Sequence, residues 1–90
     1  MTSPRVEMYT TPICPFCLRA KHLLEQKGVG YDEYNVMLDP DTRATMIERS
    51  GGARTVPQVF INGQHVGGCD ELYALDAKGG LDPLLAGMAS

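Results

Sequence analysis

Thr11-Pro12-Ile13-Cys14-Pro15-Phe16-Cys17 joins a short apolar run, Val6-Glu7-Met8-Tyr9, to a segment with helical periodicity. Two cysteines three positions apart at a strand-to-helix junction are what a dithiol redox site needs. The first falls where unpaired helix amides and the positive end of the helix dipole stabilise a thiolate. The second falls one turn further in, close enough to form or open a disulfide with the first. Pro12 keeps Ile13 and Cys14 from entering the helix early, and Pro15 suits the first helical position. Phe16, Cys17, Ala20, Leu23 and Leu24 then recur at helical spacing, opposite Arg19, Lys21, Glu25 and Lys27, until Gly28 and Gly30 end the helix.

Downstream, Tyr31 to Val36 reads as a second strand, although Asp32 and Glu33 are poor strand formers. Asp39-Pro40 starts a helix, with Asp39 as N-cap and Ala44, Met46 and Ile47 as its inner face, ending at Gly51-Gly52. Pro57 to Ile61 and Gln64 to Val66 are two strands joined by Asn62-Gly63, the strongest short hairpin signal. After Gly67-Gly68 a short helix begins at Cys69, with Leu72, Tyr73 and Leu75 inward and Asp70 and Glu71 in the first turn. A last helical segment covers Leu81 to Met88. No internal repeat, linker or low-complexity stretch interrupts the 90 residues, which read as one domain, 1–90. The element order predicts an α/β fold: a parallel βαβ unit, then an antiparallel hairpin, giving a four-stranded mixed sheet flanked by helices on both faces.

Bulk composition narrows the function classes. A hydrophobic content of 43% suffices for a modest core. Net charge is −3, from 8 Lys and Arg against 11 Asp and Glu, with no block of like charge, which disfavours nucleic acid as a partner. No apolar run approaches a membrane span of about 18 residues, and no signal-peptide pattern precedes the first strand. Three cysteines cannot pair fully, so a disulfide-stapled secreted domain is disfavoured and a reducing, cytoplasmic compartment is expected. There a Cys-x-x-Cys is more often catalytic or metal-binding than structural. A zinc site needs four ligands; only Cys69 and the histidines remain, and His22 is two turns into the helix, so no metal is expected.

These residues together resemble a glutaredoxin, with the thioredoxin fold. Cys14-Pro15-Phe16-Cys17 resembles the dithiol motif, Thr55-Val56-Pro57 the cis-proline loop, and Gly67-Gly68-Cys69-Asp70 the glycine-rich turn. Leu72-Tyr73-Ala74-Leu75 and Gly79-Gly80-Leu81 resemble bacterial-type members, and the likeness runs from about Val6 to Leu85. Two positions depart from the pattern: Phe16 stands where many members have tyrosine, and Thr11 where many have a lysine.

Helix placement makes Cys14 the expected nucleophile and Cys17 the resolving thiol. The resemblance implies a glutathione-dependent thiol–disulfide oxidoreductase that reduces protein disulfides and glutathione mixed disulfides, with glutathione as co-substrate and no permanent cofactor. It implies that Val56 presents its backbone to the cysteinyl part of glutathione, a contact that needs no particular side chain. It also implies that Gly68, Cys69 and Asp70 receive the γ-glutamyl end, amides meeting the carboxylate and Asp70 the amino group. Phe16, Thr55 and Pro57 complete the expected contacts. Arg54 is either the partner of the glycyl carboxylate or a solvated loop residue, and Tyr9 either flanks the nucleophile or belongs to the core. Cys69 is read as a bystander thiol, His22 and His65 as surface or strand residues, and the remaining charges as solvated. The partners expected are glutathione and disulfide-containing or glutathionylated proteins, met by a monomer. Two rival readings stand beside the enzyme: a dimer bridging a [2Fe–2S] cluster, and a hydrogen donor fed by thioredoxin reductase. Pro15 argues against the cluster, because strongly cluster-binding members carry glycine there and serine at the second cysteine.

Overall fold

The computed structural model describes residues 5–86. Chain order runs β1 (Val6–Thr10), α1 (Pro15–Gln26), β2 (Asp32–Asn35), α2 (Pro40–Arg49), β3 (Gln58–Ile61), β4 (Gln64–Gly67), α3 (Cys69–Ala77) and α4 (Leu81–Leu85). The strands lie in the order β2-β1-β3-β4. β1 runs parallel to β2 and antiparallel to β3, and β3 to β4 is a hairpin. This is the expected mixed sheet, and it puts the C-terminal ends of β1 and β2 at one edge, where the Cys14 loop emerges.

Both faces of β1 are covered, which is why its five residues are all buried although one is a glutamate. Val6 and Met8 point to one face and pack with Ala20, Leu23 and Leu24 of α1, Val59 and Ile61 of β3, Leu72 of α3 and Leu81 and Leu85 of α4. Tyr9 points the other way and joins Val36, Met46 and Phe60, with Tyr34, Ile47 and Val56 against them. The larger core therefore lies under α1, α3 and α4, and α2 alone covers the second face. Period-2 alternation along β1 and β3 produces this split.

Local chemistry explains the boundaries. Asp39 caps α2, its carboxylate accepting from the Asp41 amide at 2.9 Å, with Pro40 at the first position. Asn62 and Gly63 both take positive φ, 53° and 82°, the backbone of a tight hairpin turn. Asn62 also clasps the start of β1, receiving the Arg5 amide on its Oδ1 and donating its own amide to the Arg5 carbonyl.

Several expectations need correction. β2 is confined to Asp32–Asn35; Val36, just past its end, still donates its amide to the Thr10 carbonyl at 3.0 Å but is buried in the cluster with Tyr9, Met46 and Phe60. Ala44 is exposed, so α2 grips the sheet through Met46 and half-buried Ile47. Phe16 is 51% exposed rather than part of the inner face of α1, since the helix starts at Pro15 beyond the sheet edge. The last helix ends at Leu85, and Met88 lies outside the described residues.

Candidate functional site

Cys14 is the N-cap of α1, with extended backbone at φ −147°, and Pro15 occupies the first helical position. In that geometry the cap side chain turns back over the open end of the helix. Its Sγ accepts a hydrogen bond from the Cys17 amide at 3.2 Å, and its carbonyl receives the Leu18 amide at 3.1 Å. The sulfur is thus placed over the open amide end of the helix, and it is half-exposed. Cys17 stands one turn further in and is 1% exposed. Burial, and then its contact with Cys14, push the Cys17 thiol up to about 12, whereas a backbone hydrogen bond from Thr11 acts in the opposite direction. Both are free thiols. The pair is therefore asymmetric: one half-exposed sulfur over a helix end, one buried thiol behind it.

Across from Cys14 runs the segment before β3. The Val56–Pro57 peptide is cis, and the Val56 carbonyl lies 3.8 Å from Cys14 Sγ. Gln58 fixes the preceding turn, its side-chain amide donating to the Thr55 carbonyl at 3.0 Å while its own oxygen meets His65 Nε2 at 2.7 Å. Gln58 is buried, and sequence reasoning passed over it. A polar residue directly after the proline, at the head of an apolar strand, was the available signal.

The third wall is the turn from β4 into α3. Gly67 has φ +125°, and a Cβ there would meet Glu71 Cβ and Cγ at 2.8 Å. Gly68 caps α3, its amide donating to Glu71 Oε1 at 2.6 Å. Glu71 is a second residue that the sequence reading did not assign to the site, although a glutamate three places after a cap position is half of a capping box.

Between these walls lies a groove of about 360 Å³. It brings together Phe16, Thr55, Val56, Pro57, Gly68, Cys69 and Asp70, and Glu71 joins them. Arg54 does not line it; it is exposed, and its carbonyl receives the Arg43 guanidinium at 3.4 Å, so a second cation stands nearby. Cys69 is buried in the groove wall, where desolvation pushes its thiol above the ordinary range. Tyr9 is core, its hydroxyl accepting from Arg49 at 3.0 Å. His22 lies exposed on α1, while His65 stacks 5.0 Å from the Phe60 ring. Among the described residues no group of three or more His, Cys, Asp or Glu side chains could hold a metal ion, and no helix is long and apolar enough to cross a membrane. Chemically, the arrangement offers a helix-end sulfur for nucleophilic attack, a buried thiol to follow it, and an extended groove with acids at one end.

A glutaredoxin family model matches residues 6–66. Glutaredoxin 3 of Escherichia coli K12 is 59% identical over 80 residues, covering 89% of this chain and 95% of that protein. A glutaredoxin of Pseudomonas aeruginosa is 49% identical over 83 residues, covering 92% and 98%. Among solved structures, that of Brucella melitensis glutaredoxin superposes with a TM-score of 0.80 at 52% identity, covering 92% of this chain and 89% of that one. The buckwheat glutaredoxin–glutathione complex superposes with a TM-score of 0.83 at 32% identity, covering 92% and 77%.

Proposed function

The chain belongs to the glutaredoxin family and is a thiol–disulfide oxidoreductase, and from that premise we propose that glutathione is its co-substrate and reductant. The observation that carries this reading is the groove itself. It opens beside Cys14, whose sulfur is 3.8 Å from the Val56 carbonyl, and its far wall combines the amides at the start of α3 with the Asp70 carboxylate. An extended tripeptide with a carboxylate and an amino group at one end complements both. The related buckwheat protein, described in complex with glutathione, supports the same reading.

Cys14 is the nucleophile. Its thiolate attacks the glutathionyl sulfur of a mixed disulfide; the substrate leaves as a thiolate, and Cys14 carries the glutathionyl group. A second glutathione then takes that group as glutathione disulfide, or Cys17 displaces it by closing the Cys14–Cys17 bond. Protein disulfides enter by the same attack, with Cys17 completing the exchange. Phe16, Thr55, Val56, Pro57, Gly68, Cys69 and Asp70 hold glutathione, and Arg54, exposed one residue before the groove-lining Thr55, is the cation for its glycyl carboxylate. No permanent cofactor is needed, and residues 1–90 act as a single monomeric domain in a reducing, cytoplasmic compartment.

Single Cys→Ser variants test the roles. Cys14→Ser should abolish deglutathionylation, and Cys17→Ser should keep a substantial part of it; full activity in Cys14→Ser overturns the assignment. Turnover with glutathione and its reductase, set against turnover with thioredoxin reductase, tests the reductant. Faster turnover with the latter would overturn glutathione dependence, and visible absorption in an anaerobic dimeric preparation would favour the cluster reading.

A further inference from the structure

Cys17 has neighbours that the exchange chemistry above does not use. Lys21 follows it by four residues on α1, which places both on one helix face. The Lys21 ammonium does not run out to solvent. It meets Glu33 Oε2 of β2 at 2.6 Å, and the Thr10 hydroxyl at the end of β1 donates to the same oxygen at 2.7 Å. Thr10 is fully buried, and the next residue, Thr11, supplies the backbone hydrogen bond to Cys17. Three elements thus converge on the back of the dithiol: β1 through Thr10 and Thr11, β2 through Glu33, and α1 through Lys21. The titratable groups around this spot are Cys14 at the N-cap of α1, Lys21 on α1, Glu33 on β2 and Tyr31 just ahead of it. A partly exposed ion pair contributes little to stability by itself. The more telling property is placement: Lys21 lies one helical turn after Cys17 on the same face, and its ammonium is held there by Glu33.

We propose that Lys21, anchored by Glu33 and Thr10, is a positioning residue for the second step, its ammonium offsetting the negative charge that develops on Cys17 Sγ during attack. The proposal rests on Cys17 being the resolving thiol. The Cys17–Cys14 bond forms, the bond from Cys14 to the glutathionyl sulfur breaks, the electron pair leaves with glutathione, and the Cys17 proton ends on that departing thiolate. No oxidant enters beyond the mixed disulfide. Thr11 gives this buried sulfur a backbone hydrogen bond and no charge, and Lys21 is the basic group one turn along the same helix face. A lower thiolate population is partly offset by greater intrinsic nucleophilicity, with a Brønsted slope of about 0.4–0.5, so a tenfold loss of thiolate slows attack roughly threefold.

The test is the rate of ring closure after Cys14 is glutathionylated, followed by rapid quench as glutathione released, across a pH series. Lys21→Met should slow closure about three- to fivefold near neutral pH and shift its pH profile upward. Lys21→Arg should restore most of the rate. The dithiol–disulfide equilibrium against glutathione should move less than the closure rate, because Cys17 is uncharged in both end states at neutral pH. Closure that is unchanged in Lys21→Met overturns the proposal, and so does a slowing accompanied by an equal shift in that equilibrium, which would mark a structural effect. Cys17→Ser separates the underlying reading: if it releases glutathione intramolecularly as the parent does, Cys17 is not the resolving thiol at all.

Discussion

Glu7 is 6% exposed, yet its carboxylate is well supplied with partners. Arg49 donates to both of its oxygens, at 3.0 and 3.2 Å, and the Tyr34 hydroxyl donates at 3.3 Å. The guanidinium also covers the Phe60 ring, 4.2 Å from its centroid. Arg49, ahead of its other partners, holds the Glu7 carboxyl below the usual carboxylate range. A depressed folded-state value means that this stabilisation is complete above the ordinary carboxylate pKa of about 4.3 and disappears as pH falls through the lower, folded value. Arg49→Met should therefore destabilise the fold by about 2–3 kcal/mol at neutral pH, because it leaves the buried carboxylate only the Tyr34 hydroxyl and the more distant Arg5, at 3.7 Å. Urea unfolding should show this loss shrinking towards acid pH, and adding Glu7→Gln should recover part of it. Alternation along Val6-Glu7-Met8-Tyr9 does place Glu7 opposite Val6, but its partner is 42 residues away, and a single sequence holds no sign of so distant a pair. Cys17 obeys the same logic with opposite sign. A thiol pushed up to about 12 stays protonated through neutral pH, so a short iodoacetamide pulse at pH 8 should label Cys14 well ahead of Cys17, as read by mass spectrometry.

At the scale of elements, two glycines make similar backbone demands with different consequences. Gly63 has φ +82° in the β3–β4 turn, and a Cβ there would meet nothing within 4 Å. Gly63→Ala should cost about 1 kcal/mol in stability through strain alone and leave the affinity for a glutathionylated peptide intact. Gly67, at φ +125°, leads from β4 into α3, and its added methyl would press on Glu71, the residue that holds the Gly68 amide. Gly67→Ala should therefore distort the groove wall and raise KM for glutathionylated substrates several-fold, beyond its effect on thermal stability. Comparable KM values for the two variants would show that this turn does not shape the groove. The hairpin was legible because Asn-Gly has a backbone meaning of its own. The groove was legible only in outline: Cys14, Pro57 and Gly68 carry recognisable local signatures, whereas Gln58 and Glu71 act through short-range hydrogen bonds to Thr55 and Gly68 that become meaningful only once the turns they brace are seen as groove walls. Phe16 shows the converse failure, since helical spacing gave it a buried place and the position of the helix start exposed it.

Across the whole molecule, the sheet is unequally covered. Among the described residues, one face is packed under α1, α3 and α4 with ten buried side chains, and the other has four, of which Met46 is the only one from α2. The topology that produces this was readable from element order, because a parallel βαβ unit followed by a hairpin leaves few arrangements. The imbalance was not, because Ala44, Met46 and Ile47 read as a full inner face and only Met46 is buried. Local opening free energies follow buried apolar contact, so α2 should be the helix that opens first. Arg49 is the last residue of α2 and its tie to Glu7 on β1, which links this opening to pH. Hydrogen exchange at neutral pH should show the amides of residues 43–49 less protected than those of residues 19–26 in α1. Once pH falls far enough to protonate Glu7, the α2 amides should lose protection further while α1 stays closed, after correction for the intrinsic exchange rate. The dithiol lies on α1, on the well-packed side, so acid should loosen the molecule at a distance before it disturbs the site. Loss of protection in α1 and α2 together as pH falls would mean instead that the two faces unfold as one unit.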